Sequence, residues 1–274
     1  HKSVSKEDVH AMFRTWYDAV RAGTKKQMVT AGLGGLGTVE HFDPGVMPLD
    51  FVSWHIYASG KWTHQDKNTL STFFSWIQNE PYPSMIGETG LSVEDGGPTE
   101  ADQQGFAQHA LNYAEACGTM GLQWWLYRDV HWGPPGEHYG LVRWDGTVRP
   151  AATPFMEFVP WTPGVACVAP PYSGSSPAAD IVTRGRLVHE DLTPVNGGYV
   201  TGHKCLTGGW DWTLSKADGT FELLSEVAVN EINATGSGLS RETAYSWCGA
   251  SLDVGDIVLK KLSFDMEVST PSTC

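Results

Sequence analysis

Apolar residues recur along the first half of the chain with two alternating periods. Val9, Met12, Phe13, Trp16 and Val20 fall on one face of a helix over residues 5–23, and Ser5 and Asp8 stand at the spacing of a capping box. Short apolar runs at 27–33, 51–57, 84–88 and 122–127 predict strands, and helical periodicity occupies 70–79 and 100–117 between them. Strands that alternate with helices in this way predict parallel βα units. Four units make about half of a closed (β/α)8 barrel, which needs roughly 250 residues. Because the pattern opens on a helix and not a strand, an amino-terminal half-barrel is expected ahead of it. Phe106, Ala110, Tyr113 and Cys117 share one helical face, which places Cys117 in the core without a catalytic role.

The rhythm changes near residue 160. Residues 160–164 and 170–176 are rich in Pro, Gly and Ser, the composition of a boundary. Beyond it, runs at 181–189, 212–214, 220–224 and 257–262 read as short strands, and Asp218-Gly219 is a hairpin turn. The expected fold class is therefore α/β, a partial barrel of about four βα units over 1–160, a linker over 161–177, and a smaller all-β sandwich over 178–274.

Charge and cysteine usage narrow the function. The formal net charge of −13 argues against nucleic acid and anionic membranes as partners, because phosphate binding needs clustered Lys and Arg. No apolar run approaches the roughly 20 residues that cross a bilayer, so no membrane partner is expected. A neutral substrate fits better, and 12 Trp and nine Tyr supply flat faces of the kind that sugar rings stack on. Cys117, Cys167, Cys205, Cys248 and Cys274 lack zinc-site spacing, and no metal or other cofactor is implied. Four of the five fall in the last 110 or so residues of the chain, which points to disulfides and a secreted protein, with free buried thiols as the alternative. The preferred pairs are Cys205 with Cys248 and Cys167 with Cys274.

Glu88 is the leading candidate for chemistry. It lies near the end of the run 83–90, Pro-Ser-Met-Ile-Gly-Glu-Thr-Gly, where a buried strand opens into a loop. Parallel barrels keep their catalytic groups at that end of the strands, and an acid there is costly unless it is bonded or reactive.

Four motifs then carry a family resemblance. Residues 50–57 (Asp-Phe-Val-Ser-Trp-His-Ile-Tyr), 86–90 (Ile-Gly-Glu-Thr-Gly), 121–129 (Gly-Leu-Gln-Trp-Trp-Leu-Tyr-Arg-Asp) and 139–150, from Tyr139 to Pro150, occur in that order. They resemble the sixth, seventh and eighth strands and the closing turn of a retaining glycoside hydrolase barrel of the cellulase-like superfamily. The resemblance implies hydrolysis of β-linked sugars in a poly- or oligosaccharide, with Glu88 as the nucleophile. It also implies that Tyr57 steers Glu88, that His55 bonds a substrate hydroxyl, and that Trp125 floors the reactive sugar site. Trp124 is its neighbour facing the other way, one of the two being core, and Asp129, His131 and Trp132 would shape the cleft on the following loop. The acid partner would lie at the end of a fourth strand, in an Asn-Glu context ahead of this chain. Asn79-Glu80-Pro81 repeats those letters at a helix end, and we read it as coincidence.

The tail resembles a carboxypeptidase regulatory-like sandwich, through residues 185–188, 194–195, 217–223 and 255–259. Trp210 and Trp212 would share one strand face, as a sugar platform or as core, and Asn233-Ala234-Thr235 is a formal glycosylation sequon. Two competing readings stand beside the hydrolase. One is a non-catalytic carbohydrate-binding or assembly protein, self-associating or pairing with a missing half-barrel through open strand edges. The other is a metal site of His55, Glu88, Asp129 and His131, for which no familiar spacing is present.

Overall fold

The computed structural model describes residues 4–58, 62–94, 96–131, 138–160, 164–168, 181–205, 207–245, 248 and 251–263. Its first part is an arc of four parallel strands, β1 (Gly32–Gly34), β2 (Val52–Tyr57), β3 (Ser84–Gly90) and β4 (Leu122–Trp124), in that spatial order. Helices α1 (Lys6–Gly23), α2 (His64–Gln78), α3 (Glu100–Ala116) and α4 (Thr153–Met156) accompany it. The three long helices start alike. Ser5, Thr63 and Thr99 each close a capping box with an Asp three residues on, at Asp8, Asp66 and Asp102.

The core of this part lies between the strands and the helices. Trp54 is fully buried and sets its ring edge-on to Phe73 and Trp76 of α2. Ile86 and Phe106 are buried beside it in the same cluster.

The second part is all-β. Strands β5 (Ile181–His189), β6 (Tyr199–Lys204), β7 (Trp210–Leu214), β8 (Thr220–Ser225), β9 (Val229–Thr235), β10 (Glu242–Tyr245) and β11 (Leu252–Leu259) form two sheets, ordered β10-β9-β6-β7 and β11-β5-β8. Leu187, Val200, Phe221, Leu223, Ile232 and Leu259 fill the space between them. A partial barrel followed by a β-sandwich is thus the fold class that the sequence pattern implied.

The β10-β9-β6-β7 sheet is covered on its other face as well. Tyr199, Trp212 and Leu214 pack against the Trp54 core, and the Trp76 indole donates to Gly197 O at 3.1 Å. Lys6 Nζ reaches the loop after β9, donating to Thr235 Oγ1 (2.7 Å), Gly236 O (3.0 Å) and Leu239 O (2.6 Å) while paired with Asp43 Oδ2 at 2.7 Å. Burial drives the Lys6 ammonium down and the Asp43 carboxyl up, against the mutual attraction of the pair.

Two disulfides cross-link the chain. Cys205 joins Cys248, as expected. Cys167 does not await Cys274, which lies outside the described residues; it joins Cys117, with the two Cα atoms 4.9 Å apart. Cys117 ends α3 as its carboxyl-terminal cap, and the chain returning past α2 brings Cys167 within bridging range of it. Cys117 is therefore both a core residue and a half-cystine. Among the described residues, no helix is long and apolar enough to cross a membrane.

Candidate active site

The site is built where β2 and β3 run side by side. Along β2, Val52, Trp54 and Ile56 turn toward the helices, so Ser53, His55 and Tyr57 turn to the concave face. On β3, Ile86 pairs with Trp54 but Glu88 pairs with His55, so Gly87 and Glu88 together oppose a single step of β2. The same offset recurs against β4. This bulge reverses the alternation and brings Glu88 onto the face that His55 and Tyr57 share. Thr89, opposite Ile56, is left fully buried on the helical side.

Glycines clear the room that this needs. A side chain at Gly87 would collide with Ser53 Oγ and come within 3.4 Å of His55 Nε2, and one at Gly32 would sit 2.7 Å from His55 Cε1. Tyr57 Oη donates to Glu88 Oε2 at 2.9 Å, and His55 Nδ1 lies 3.3 Å from the same oxygen. The Glu88 side chain is 32% exposed, so its carboxylate is gripped by side chains while one part faces solvent.

Tyr139 joins this group, and the sequence reading did not single it out. Its ring stands edge-on to Tyr57 with centroids 5.8 Å apart, and its carbonyl accepts the Trp124 indole at 2.8 Å. Gly90 leaves room beside it: a Cβ there would lie 2.4 Å from Trp125 O and 3.0 Å from Tyr139 Cδ1.

Two expected cleft residues are placed elsewhere. Trp124 pairs with Thr89 and so faces the helices, where its ring meets Phe106 and Phe155 edge-on; it is the core member of the Trp pair. Asp129 is 4% exposed, with Arg149 Nη1 at 2.6 Å and Gly140 N at 2.9 Å from its Oδ1, and His138 Nδ1 at 3.5 Å from Oδ2. Burial alone would raise its pKa, but the Arg149 and Gly140 hydrogen bonds and the guanidinium charge outweigh it and hold the carboxyl below its ordinary value. Asp129 therefore anchors the 138–140 segment that presents Tyr139, rather than facing substrate.

Trp125 is half-buried and its amide donates to Thr89 O at 2.8 Å. Trp132 lies outside the described residues. The ring of His131 rests on Trp144. With Asp129 and His131 so engaged, the four-residue metal constellation does not assemble, and no group of three His, Cys, Asp or Glu that could hold a metal occurs among the described residues.

Glu80 follows α2 and precedes β3, whereas Glu88 lies near the far end of β3. Four strand residues separate those ends by roughly 13 Å, so Glu80 cannot serve as the acid partner of Glu88. Burial instead pushes its carboxyl up to about 7. In the β part, Trp212 packs inward on Tyr199 while Trp210 is half-exposed against His203. Asn233 is 1% exposed and bonded to Glu231 and Thr243, which closes the formal sequon to a glycan.

No protein-family model matches the chain, and no curated protein matches it. Solved structures with partial likeness include a β-glucuronidase of Bifidobacterium dentium complexed with coumarin-3-O-glucuronide, 19% identical over 55% of this chain and 27% of that one, with a TM-score of 0.48. A GH5_18 variant from Streptomyces cattleya in complex with Manβ1-4GlcNAc is 16% identical over 68% of this chain and 47% of its own, at 0.44. A β-galactosidase of the Antarctic haloarchaeon Halorubrum lacusprofundi is 17% identical over 54% and 25%, at 0.37. The chain thus spans from a quarter to about half the length of these proteins.

Proposed function

We propose that the chain carries the nucleophile of a retaining glycoside hydrolase acting on β-linked sugars in a poly- or oligosaccharide. The observation that supports this most is the contact of Tyr57 Oη with Glu88 Oε2 at 2.9 Å, on a bulge that turns the carboxylate out of the sheet. A hydroxyl placed there fixes the carboxylate in one rotamer and leaves its second oxygen for attack. In the first step Glu88 bonds to the anomeric carbon as the glycosidic C–O bond breaks, and the leaving oxygen takes a proton from an acid. Water, deprotonated by the same group, then releases the sugar and restores the carboxylate. His55 would bond a sugar hydroxyl beside Glu88, and Trp125 would floor the ring. The acid/base carboxyl is expected ahead of α1, as in the resembling barrels. The two disulfides favour an oxidising, extracellular setting.

A leaving group that departs without a proton isolates the role of Glu88. Incubation with a panel of 2,4-dinitrophenyl 2-deoxy-2-fluoro-β-glycosides should trap a glycosyl ester, seen by mass spectrometry on the peptide containing Glu88 and absent from Glu88→Gln. A label on another residue, or none with any sugar of the panel, overturns the assignment. Unactivated substrates should react roughly 10²- to 10⁴-fold more slowly wherever the acid is lacking.

A further inference from the structure

The loop between β9 and β10, residues 236–241, is held by ionisable groups of the α/β part, and their charges do not balance. Asp43 Oδ2 accepts Gly238 N at 2.9 Å and pairs with Lys6 Nζ, which also donates to Gly236 O and Leu239 O. Glu40 Oε2 lies 3.3 Å from Arg241 Nε, and Glu40 Oε1 accepts Thr201 Oγ1 of β6 at 3.2 Å. A third carboxyl, Glu80, reaches the same loop from the end of α2, beside the hydroxyls of Ser237 and Tyr82. Both hydroxyl oxygens are buried and neither is bonded elsewhere. Three carboxyls thus meet two cations at one seam, and among the described residues no Lys, Arg or His pairs with Glu80.

The seated loop leaves no slack. A Cβ at Gly45 would stand 2.5 Å from both Gly238 N and Ser237 Oγ. Glu7 and His41 line a cleft of about 270 Å³ on the seam together with Glu40 and Arg241, and Glu80 is not among its walls. The groups that face Glu80 are therefore Ser237 of the loop, Tyr82 of its own segment and, through space, Asp43 with its Lys6 partner. Lifting the loop takes Ser237 away and opens the Glu80 carboxyl to water, whereas the Lys6–Asp43 pair, both members of which belong to the α/β part, stays formed. The sheet behind the loop is held by other means, the apolar contact of Tyr199, Trp212 and Leu214 with the Trp54 core, in which nothing titrates near neutrality.

We infer that the 236–241 loop is a proton-operated latch: a proton on Glu80 seats it against the α/β part, and loss of that proton frees the loop while the sheet behind it stays docked. Burial and the Asp43 charge disfavour the carboxylate more than the Ser237 and Tyr82 hydroxyls favour it, so seated Glu80 keeps its proton up to about 7 against an ordinary 4.5. Between those values the seated form binds more protons than the open one. The open fraction then rises by up to tenfold per pH unit, about 300-fold in all, and levels off above pH 7. The latch joins the two parts firmly in mildly acidic surroundings and lets the seam open in neutral ones. It owes nothing to the role proposed for Glu88.

The test is amide hydrogen exchange of the full chain with disulfides intact, followed from pH 5 to 8 and corrected for the intrinsic rate. Gly238 N and Leu239 N report on the loop, since they bond Asp43 Oδ2 and Gly236 O. Their protection should fall roughly tenfold per unit from pH 5 to 6.5 and level off above about 7, while the amides of β6 stay protected. Glu80→Gln, neutral at every pH, should hold the acidic level of protection up to pH 8, and Glu88→Gln should follow the parent. Carbon-13 titration of the parent's carboxyl groups supplies a second reading that needs no variant, with a Glu80 midpoint expected near 7. The inference is overturned by loop protection that does not change with pH, by the parent's slope persisting in Glu80→Gln, by β6 losing protection in step with the loop, or by a Glu80 midpoint below about 5.5.

Discussion

Replacing Lys6 by Met tests how the two parts of the chain are joined. The ammonium is 4% exposed and makes four hydrogen bonds, to Asp43, Thr235, Gly236 and Leu239. Methionine of similar length removes all four and leaves the Asp43 carboxylate, at 0% exposure, with the Gly45 and Gly238 amides as partners but no counter-charge. Stripping one member from a buried pair costs about 3–5 kcal/mol, a fifth or more of the roughly 5–15 kcal/mol total stability of an ordinary domain. Urea unfolding at pH 7 with disulfides intact should show this loss as a lower midpoint at unchanged slope. Adding Asp43→Asn to Lys6→Met removes the stranded charge and should recover more than half of it. On acidification the penalty of Lys6→Met should shrink, because an already raised Asp43 pKa rises further without its partner and the group takes up a proton. A single variant costing less than about 1 kcal/mol, or a double variant as unstable as the single, would refute the view that this pair clamps the loop after β9.

Three further outcomes follow from named residues. Glu80 sits near 7 against an ordinary 4.5, so the native state holds an extra proton between those values and stability falls by up to about 3 kcal/mol as pH rises through that window. His109, driven by burial to about 4 from 6.5, acts oppositely and costs stability as pH falls; Glu80→Gln should therefore unmask a steady decline from pH 6.5 to 4.5, and a pH–stability curve identical to the parent's would contradict this. Closing loops of 50 and 43 residues, the Cys117–Cys167 and Cys205–Cys248 bonds should each contribute about 4 kcal/mol, measured on paired Ala variants by denaturant midpoint, and a loss under 1 kcal/mol would speak against either link. Tyr57→Phe removes a hydrogen bond to an ionised group and should slow labelling of Glu88 roughly 10- to 100-fold; an unaltered rate would deny Tyr57 its steering role.

The parts of the fold set by local pattern were legible in the sequence. The three capped helices and the strands holding His55, Tyr57 and Glu88 could be read because their apolar positions repeat at one period. Strands β6 and β9 escaped notice for a physical reason. β6 is broken by Gly202, and β9 carries Asn233, which bonds Glu231 and Thr243 within its own sheet, and Thr235, which accepts from Lys6 at the contact with the first part, so neither alternates with a solvent face. Cys117 was placed in the core correctly, but a packed thiol and a half-cystine share the same apolar face, so its bond to Cys167 depends on a chain path that no spacing encodes. Asp129 followed the same logic: on a loop after a barrel strand it reads as a cleft residue until Arg149, 20 positions on, is seen to claim it.

The β10-β9-β6-β7 sheet, enclosed between two apolar layers, also limits how this protein can be taken apart. A gene fragment stopping near residue 160 would strip the cover from Trp76 and the Phe73 cluster, and a fragment starting near 180 would bare Tyr199, Trp212 and Leu214 to water. Each piece would then present a sticky surface shaped for the other, so co-expression of the two fragments should rescue solubility that neither achieves by itself.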